Sequence, residues 1–358
     1  MKIQYDHQIF TMQKFGGISR YYYELIKNSD NLYEPELSGI FSNNVYIETL
    51  GMYKSFPIKR YFRGRDRVIA FLNKRDSLQK LKNNKEIFHP TYYSDYYFGK
   101  TIHCKTVLTV YDMIHEKFPD YFSPNDGTSV LKRRAIEGAD IIIAISESTK
   151  KDILEIYPDI PSEKIKVVYL GNSLEELHIT KRAKDYILFT GQRKGYKNFE
   201  TFIRAVAPLL IKYNLRLKCT GQSFTEQEKE LFSELGISEL IDRVFAKDEE
   251  LSYLYANALV FVFPSLYEGF GIPVLEAFSS GCPLLASNTS SLPEIGGNAS
   301  LYFNPYSTND IREKIETVIL SESLQNQLIG NGYERLKSFS WKKCAQETAE
   351  IYQEVLGK

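Results

Sequence analysis

The stretch from Ser265 to Gly281, SLYEGFGIPVLEAFSSG, constrains the fold of this chain more than any other segment. It follows the apolar run ALVFVF, which is typical of a strand that a parallel sheet buries on both faces. Gly269 and Gly271 allow a tight turn, and Pro273 suits the first turn of a helix, where its missing N–H costs nothing. The segment therefore predicts a strand, a loop and a helix in succession.

Two carboxylates lie in this segment, Glu268 in the predicted loop and Glu276 in the predicted helix. Carboxylates accept hydrogen bonds from hydroxyl groups, and backbone N–H groups near Phe270 would point toward an anion at the helix N-terminus. A nucleotide sugar offers both hydroxyls and phosphates. The alternative is that Glu276 only offsets the helix dipole while Glu268 is solvated. The glycines, the proline and the strand–loop–helix context favour a binding site.

The chain has 358 residues, which predicts two domains of about 150–200 residues each. Short apolar strands alternate with helical segments along its length, as in doubly wound α/β domains. The polar segment 171–183 predicts the boundary, giving domains 1–172 and 173–340 and a final helix at 341–358. Since ligands bind beyond the carboxyl ends of strands in open α/β sheets, we expect a site in a cleft between two facing domains.

The cysteine spacing, the hydropathy and the missing motifs argue against several protein classes. The four cysteines are widely spaced without a C-x-x-C pair, and the histidines do not cluster, so we expect reduced thiols, no metal site and a cytoplasmic location. No apolar run reaches the roughly 18–20 residues that cross a bilayer, and the first residues do not resemble a signal peptide. No G-x-G-x-x-G follows the first strand, which argues against a dehydrogenase.

Basic residues concentrate in segment 59–85, which holds ten lysines and arginines against two aspartates, although the whole chain has a net charge of zero. Val68, Phe71 and Leu72 lie within it at helical spacing. This pattern predicts peripheral contact with an anionic membrane at its inner face, or with an anionic acceptor; a solvated helix face is the alternative. Nucleic acid is not expected, because the rest of the chain is acidic and no recognition motif appears.

Two glycine-containing loops follow other predicted strands. Gly16 and Gly17 open a helix, and a double glycine there lets a phosphate or a sugar approach the backbone. Arg193 and Lys197 lie in the turn of TGQRKGYKNF, just before a helix for which Asn198 is a candidate cap. Cations beside a helix N-terminus suit a diphosphate, although a solvated basic turn is the alternative.

Asp112 and His115 follow the strand that ends at Val110. A histidine beside a carboxylate can donate or accept a proton near neutral pH, whereas the alternative is a structural histidine. The aromatic segment HPTYYSDYYF, which begins at His89, predicts core packing in preference to a platform for a sugar.

These segments together resemble the group 1 glycosyltransferases, the large retaining family 4 of the GT-B fold. The resemblance covers nearly the whole chain, and SLYEGFGIPVLEAFSSGCPLLASNTSSLPEIGG is its most specific part. The other segments that carry it are Gly16-Gly17, TVYDMIHEKFPDYF, ADIIIAISESTKKDIL, EKIKVVYLGN and ILFTGQRKGYKNF. The final segment FSWKKCAQETAEIYQEVL resembles the closing helix of the family, which packs back on the first domain.

The resemblance implies that a hexosyl or related sugar moves from a UDP- or GDP-linked donor to an acceptor hydroxyl, with retention of anomeric configuration. It implies a saccharide or lipid-linked saccharide acceptor and a role in the synthesis of surface polysaccharides or glycoconjugates. No cofactor or metal is implied, because cationic side chains and a helix dipole replace the divalent ion of other transferases.

The resemblance also assigns roles to residues of this chain. Arg193 and Lys197 would hold the donor diphosphate, and Glu276 would accept hydrogen bonds from the ribose hydroxyls. Glu268 would contact the transferred sugar. Backbone groups of the loop Gly269, Phe270 and Gly271 would assist Glu268, and Gly17 would lie near the donor phosphates or the acceptor.

One departure from the family concerns the strand that ends at Val110. Many members carry His-Asp after this strand, whereas this chain has Tyr111 and Asp112, with His115 one helical turn later. Tyr111 or His115 could replace the family histidine, or the enzyme could work without it. Two other functions stay open, a nucleotide-sugar epimerase of the same architecture and a nucleotide-binding subunit that has lost its chemistry.

Overall fold

The computed structural model describes residues 1–52, 64–83, 86–100, 103–174, 176 and 184–357. The chain forms two compact units. The first contains Met1–Leu170 and Trp341–Lys358, and the second contains Gly171–Ser340. The domain ends expected from the sequence were residues 172 and 340.

The first unit is built on a parallel sheet with strand order β2-β1-β3-β4-β5-β6. Its strands are β1 (Lys2–Tyr5), β2 (Glu34–Leu37), β3 (Ile87–His89), β4 (Lys105–Val110), β5 (Ile141–Ala144) and β6 (Ile165–Val167). Apolar runs predict every one of these strands except β2, whose sequence EPEL contains a proline and two glutamates. This strand lies at the edge of the sheet, where a proline is tolerated.

The second unit is built on a parallel sheet with strand order β12-β11-β10-β7-β8-β9. Its strands are β7 (Tyr186–Phe189), β8 (Arg216–Thr220), β9 (Ile241–Val244), β10 (Val260–Phe263), β11 (Leu284–Ser287) and β12 (Ser300–Phe303). Apolar runs predict all six, although the run RVFA predicts that β9 begins at Arg243, two residues after its observed start. Strands β7 and β10 pair directly, and the chain runs outward from them in both directions. This is the Rossmann order, and the crevice beyond β7 and β10 is its topological switch point.

Helices lie between most successive strands of each sheet, although none lies between β3 and β4 among the described residues. In chain order they are α1 (Gln8–Met12), α2 (Gly17–Lys27), α3 (Val45–Thr49), α4 (Arg65–Asn83), α5 (Ile114–Lys117), α6 (Thr128–Gly138), α7 (Glu147–Ile156), α8 (Phe199–Tyr213), α9 (Glu226–Glu234), α10 (Asp248–Asn257), α11 (Ile272–Ser279), α12 (Leu292–Gly296), α13 (Thr308–Leu320), α14 (Glu322–Leu336) and α15 (Trp341–Val355). With both sheets parallel and helices between their strands, the prediction of two Rossmann-like doubly wound domains is confirmed.

The core of the first unit is rich in tyrosine and includes helix α15. The Tyr352 hydroxyl of α15 lies 3.0 Å from the Tyr5 hydroxyl of β1 and 2.6 Å from Nδ1 of His89 at the end of β3. Full burial lowers the pKa of His89 to about 3, so its ring is neutral at physiological pH. The following residues Tyr93, Tyr96 and Tyr97 are also buried, which confirms the prediction of core packing for this segment.

Candidate active site

The loop between β10 and α11 has the local structure that its sequence predicts. Gly271 precedes the helix with a φ of 98°, a left-handed conformation that favours glycine, and a Cβ there would lie 2.9 Å from Cδ2 of Leu292. The proline of IPVLEAFS occupies the first turn. The Ser291 hydroxyl lies 2.9 Å from each of the carbonyl oxygens of Glu268 and Phe270. These contacts fix the course of the loop on the side of Ser291.

Lys197 and Glu268, two of the predicted site residues, form an ion pair. Lys197 ends the 3-10 turn Gly195–Lys197, which follows β7, and its Nζ lies 2.6 Å from Oε1 of Glu268. The side chains are 19% and 13% exposed, respectively, so the pair is largely shielded from solvent. Since β7 and β10 are neighbours, the loops after them meet at the switch point. The structure therefore places a cation and a carboxylate together where such folds bind ligands.

Glu276 lies in α11 and is almost fully buried. Its Oε2 accepts a hydrogen bond of 3.0 Å from the hydroxyl of Tyr255 in α10. The same hydroxyl lies 3.0 Å from Oγ1 of Thr190, the residue directly after β7. Burial and the negative charge of Glu276 raise the pKa of Tyr255 well above its ordinary value, so the phenol stays protonated. The sequence gives no signal for Tyr255, because no pattern distinguishes it from the many other tyrosines of the chain.

Arg193 has contacts that differ from those predicted for a diphosphate ligand. Its side chain is only 4% exposed, and its Nε donates to Oε1 of Glu228 at 2.8 Å. The remaining guanidinium nitrogens donate to the carbonyl oxygens of Thr220, Gln222 and Ser223 at 2.7–3.3 Å. The guanidinium thus ties the loop after β7 to the loop after β8. These contacts give Arg193 a structural role. They do not support its contact with the donor diphosphate, which stays a prediction.

Asn198 also differs from its predicted role. It occupies the N-cap position of α8, but its side chain makes no capping hydrogen bond. The amide nitrogen instead donates to the carbonyl oxygen of Pro305 at 2.8 Å, and the backbone is left-handed with φ 56°. Asn198 therefore connects two loops of the second unit.

Gly16 and Gly17 lie in the first unit, and α2 begins at Gly17 as predicted. The Gly16 carbonyl accepts hydrogen bonds from the Ser19 hydroxyl and the Arg20 amide, both at 3.0 Å. A Cβ on Gly16 would lie 2.5 Å from the side-chain oxygen of Gln13, so the glycine accommodates a close approach of that side chain.

Tyr111 lies in the core of the first unit. It is buried, and its hydroxyl donates to the hydroxyl of Tyr22 at 2.8 Å. Burial raises the pKa of Tyr111 well above its ordinary value. The hydroxyl is therefore engaged by a core tyrosine, and this arrangement gives no support to Tyr111 as a replacement for the family histidine.

Asp112 does not pair with His115 as the sequence suggested. Its Oδ1 accepts a hydrogen bond of 3.1 Å from the Ile114 amide at the start of α5. The buried ammonium of Lys132 donates to the Asp112 carbonyl at 2.9 Å and to Oε2 of Glu116 at 2.8 Å. Lys132 therefore neutralises the carboxylate of Glu116, and its ammonium also lies 3.7 Å from Oδ1 of Asp112.

His115 stacks on Phe122, with ring centroids 3.9 Å apart, and its Nε2 lies 3.7 Å from Oδ2 of Asp126. Burial and the nearby Lys132 lower the pKa of His115. The carboxylate beside the His115 ring is thus that of Asp126, in the loop before α6. The spacing of residues in the sequence did not indicate this pairing.

A family model described as "Glycosyl transferases group 1" matches residues 173–335, the part of the chain that contains Lys197, Glu268 and Glu276. The chain is 26% identical to O-antigen chain mannosyltransferase B of Escherichia coli, over 94% of this chain and 95% of that protein. It is 30% identical to the serotype-specific mannosyltransferase WbdA of the same species, over 70% of this chain but only 34% of that longer protein.

Solved structures show the same fold. HepE of Anabaena, crystallised with UDP and glucose, superposes with a TM-score of 0.75 at 15% identity over 98% of each chain. The sucrose-phosphate synthase of Thermosynechococcus elongatus gives a TM-score of 0.74 at 16% identity over 99% of each chain. At this identity the structures establish the GT-B fold, while the family model identifies residues 173–335. The chain is a glycosyltransferase whose residues 173–335 belong to the group 1 family.

Proposed function

We propose that this enzyme transfers a mannosyl residue from a nucleotide-diphosphate mannose to a saccharide acceptor, with retention of anomeric configuration, during synthesis of a surface polysaccharide. The names of the relatives support the sugar and the pathway, since they are O-antigen and serotype-specific mannosyltransferases. The main structural support for the proposed donor site is the Lys197–Glu268 ion pair at the switch point of the second sheet. UDP and GDP are both candidates for the nucleotide.

Lys197 is the cation that we place at the donor diphosphate. The carboxylate of Glu268 accepts a hydrogen bond from the Lys197 ammonium and neutralises its charge. When the donor binds, Lys197 donates to phosphate oxygens and Glu268 accepts from hydroxyls of the transferred sugar. As the sugar–phosphate bond breaks, the ammonium stabilises the charge on the leaving diphosphate, an effect typically worth about 3–4 kcal/mol for one well-placed group.

The loop before α11 and Glu276 complete the donor site in this proposal. Gly271 lets the backbone approach the ligand closely, and the N-terminus of α11 favours an anion. The carboxylate of Glu276 accepts hydrogen bonds from the ribose hydroxyls. The acceptor oxygen attacks the anomeric carbon from the face that the diphosphate leaves, and its proton passes to the departing phosphate oxygen. No nucleophile from the protein and no metal is then required.

A transfer assay tests this function. The enzyme is incubated with GDP-mannose or UDP-linked sugars, with and without mannose-terminated oligosaccharides, and the product linkage is determined by NMR. We expect acceptor-dependent transfer that preserves the anomeric configuration of the donor. An inverted linkage would exclude retention. Conversion of the donor without an acceptor would indicate an epimerase, and nucleotide binding without transfer to any acceptor would indicate a non-catalytic subunit.

The Lys197→Ala variant tests the role of the cation in the same assay. We expect turnover to fall at least about tenfold, because charge stabilisation at the leaving group is lost. The Lys212→Ala variant is the matched control, since Lys212 forms a similar pair with Glu316 at 2.8 Å but is 61% exposed at the far end of α8. Equal activity in the two variants would remove Lys197 from the diphosphate site.

We also propose that the acceptor is lipid-linked and that the enzyme works at the inner face of an anionic membrane. Among the described residues, no helix is long and apolar enough to span a bilayer. Part of the basic segment 59–85 lies outside the described residues, and α4 (Arg65–Asn83) contains most of the part that is described. There Phe71 is 64% exposed, and a cavity of about 780 Å³ is lined by Phe71, Lys74, Arg75, Leu78 and Lys82, together with Lys100. Apolar and basic groups on one surface suit an anionic bilayer.

Sedimentation with vesicles tests the membrane contact. We expect binding to vesicles that contain anionic lipids at low salt, little binding to neutral vesicles, and weaker binding when Lys74 and Arg75 are both changed to Ser. Equal binding of the wild type to neutral and anionic vesicles, or no binding to either, would contradict this part of the proposal. It would leave the donor site unaffected.

A further inference from the structure

We infer that Tyr255 is a positioning residue for donor binding, because its buried hydroxyl bridges Thr190 and Glu276 and so holds the carboxylate that we assign to the ribose. This inference rests on the proposed function, in which Glu276 accepts hydrogen bonds from the ribose hydroxyls. Tyr255 acts through Glu276 and contacts no part of the substrate itself.

The directions of the two hydrogen bonds follow from the number of protons available. A phenol has one O–H to donate, and an ionised carboxylate only accepts. The Tyr255 hydroxyl therefore donates to Oε2 of Glu276, at 3.0 Å, and accepts from the Thr190 hydroxyl, also at 3.0 Å. Thr190, Tyr255 and Glu276 thus form an ordered chain of donors that ends on the carboxylate.

The surroundings of Tyr255 leave its ring little freedom. The ring is fully buried and packs edge-on against Phe261 of β10, with centroids 5.1 Å apart. Hydrogen bonds to an ionised group are shorter and stronger than neutral ones, and in a buried site they restrict the carboxylate to one orientation. Tyr255 therefore fixes the plane of Glu276 before the donor arrives, which lowers the ordering cost of binding.

The arrangement also connects the two sides of the switch point. Thr190 follows β7, whereas Glu276 lies in the helix after β10. Tyr255 comes from α10, which directly precedes β10 in the chain. Thr190 is 65 positions from Tyr255, and Tyr255 is 21 positions from Glu276, so the pairing of β7 with β10 and the packing of α10 against α11 bring the three side chains together.

Isothermal titration with nucleoside diphosphates tests this inference. GDP and UDP are first compared on the wild type, and the tighter ligand is then titrated together with its 2′,3′-dideoxy analogue, which lacks both ribose hydroxyls. For Tyr255→Phe we expect the Kd of the natural nucleotide to rise about tenfold, the equivalent of one lost hydrogen bond. We expect the Kd of the dideoxy analogue to change little, because the effect passes through the ribose hydroxyls. Equal weakening of both ligands would overturn the inference, since a general structural defect acts on both.

Three further variants keep the outcome interpretable. Tyr186→Phe is the matched control, because the buried Tyr186 hydroxyl donates to the Leu254 carbonyl at 2.6 Å beside the same helix end without contacting Glu276. It should leave the affinity ratio of the two nucleotides unchanged. Thr190→Val should shift this ratio in the same direction as Tyr255→Phe but less.

Glu276→Ala separates failure of this inference from failure of the proposed function. If Glu276→Ala weakens only the natural nucleotide while Tyr255→Phe changes nothing, the positioning role of Tyr255 is wrong and the ribose role of Glu276 stands. If Glu276→Ala leaves the affinity ratio of the two nucleotides unchanged, the ribose role itself is wrong, and the inference fails with it.

Discussion

Replacing Arg193 by alanine distinguishes a structural arginine from a diphosphate ligand. The guanidinium is buried between the loops after β7 and β8, where it pairs with Glu228 and lies over the rings of Phe224 and Phe199, at 4.7 and 5.6 Å from their centroids. We therefore expect Arg193→Ala to lower the stability of the second unit strongly and to affect nucleotide binding only through that loss.

The magnitude follows from the contacts that the substitution removes. Deleting one partner of a buried ion pair costs about 3–5 kcal/mol, and the lower end applies here because the Glu228 side chain keeps 16% exposure to water. The two cation–π contacts each add roughly 0.5–1 kcal/mol, but these effects overlap, so we expect a total loss of about 3–4 kcal/mol. For a unit of this size, each kcal/mol lowers the melting temperature by about 2–4 °C, which gives a decrease of about 6–16 °C.

Thermal unfolding followed by circular dichroism measures this decrease. Arg216→Ala is the matched control, because Arg216 pairs with Asp242 through two hydrogen bonds of 2.6 Å on the surface, where solvent screening leaves such pairs a small contribution to stability. Nucleotide affinity of Arg193→Ala is measured well below its melting temperature and should stay close to that of the wild type. A variant that melts like the wild type but no longer binds GDP or UDP would refute the structural role and establish Arg193 as the phosphate ligand.

Gly271, His89 and Lys132 give three further predictions. Gly271→Ala should destabilise the protein by about 1–3 kcal/mol in a thermal melt and weaken nucleotide binding, because the φ of this residue is 98° and the added Cβ would meet Leu292. The control Gly330→Ala, in the exposed part of α14, should be neutral or stabilising. Equal stability of the two variants would contradict this reasoning. Between pH 6.5 and 3, unfolded His89 binds a proton that the folded ring excludes, so the free energy of unfolding should fall with decreasing pH by up to about 1.4 kcal/mol per pH unit from this group. The pH profile of His89→Asn should be less steep in urea titrations, and parallel profiles would rule out this contribution. Lys132→Met should destabilise the first unit by about 3 kcal/mol or more, because it removes the ammonium that lies 2.8 Å from the buried carboxylate of Glu116. Urea unfolding measures this loss, and stability equal to the wild type would contradict the reasoning.

The sequence predicted the strand, loop and helix around Glu268 correctly because the signals are local. The apolar run of β10, the left-handed Gly271 and the proline in the first turn of α11 act on neighbouring residues and require no distant partner. The edge strand β2 escaped prediction for the complementary reason, since its pairing with β1 and not its own composition makes it a strand.

The roles of Arg193 and Lys197 could not be separated from the sequence. They lie four residues apart in one basic turn, and either cation could have faced a phosphate. Their tertiary contacts differ, because Glu228 and the carbonyl oxygens after β8 engage the guanidinium whereas Glu268 pairs with the ammonium. In the same way Tyr111 follows a strand like a site residue, yet its hydroxyl is bonded to Tyr22 in the core.

The sequence by itself determined the alternation of strands and helices, the two Rossmann-like domains and the loop that carries Glu268, since each depends on residue spacing and backbone preference within one segment. Only the tertiary structure decided that Lys197 meets Glu268 across 71 positions and that Tyr255 holds Glu276. The first pairing depends on the order of strands in the second sheet, which places the ends of β7 and β10 side by side, and the second depends on the packing of α10 against α11. Strand order reflects the packing of whole elements against one another, and no short stretch of sequence encodes it.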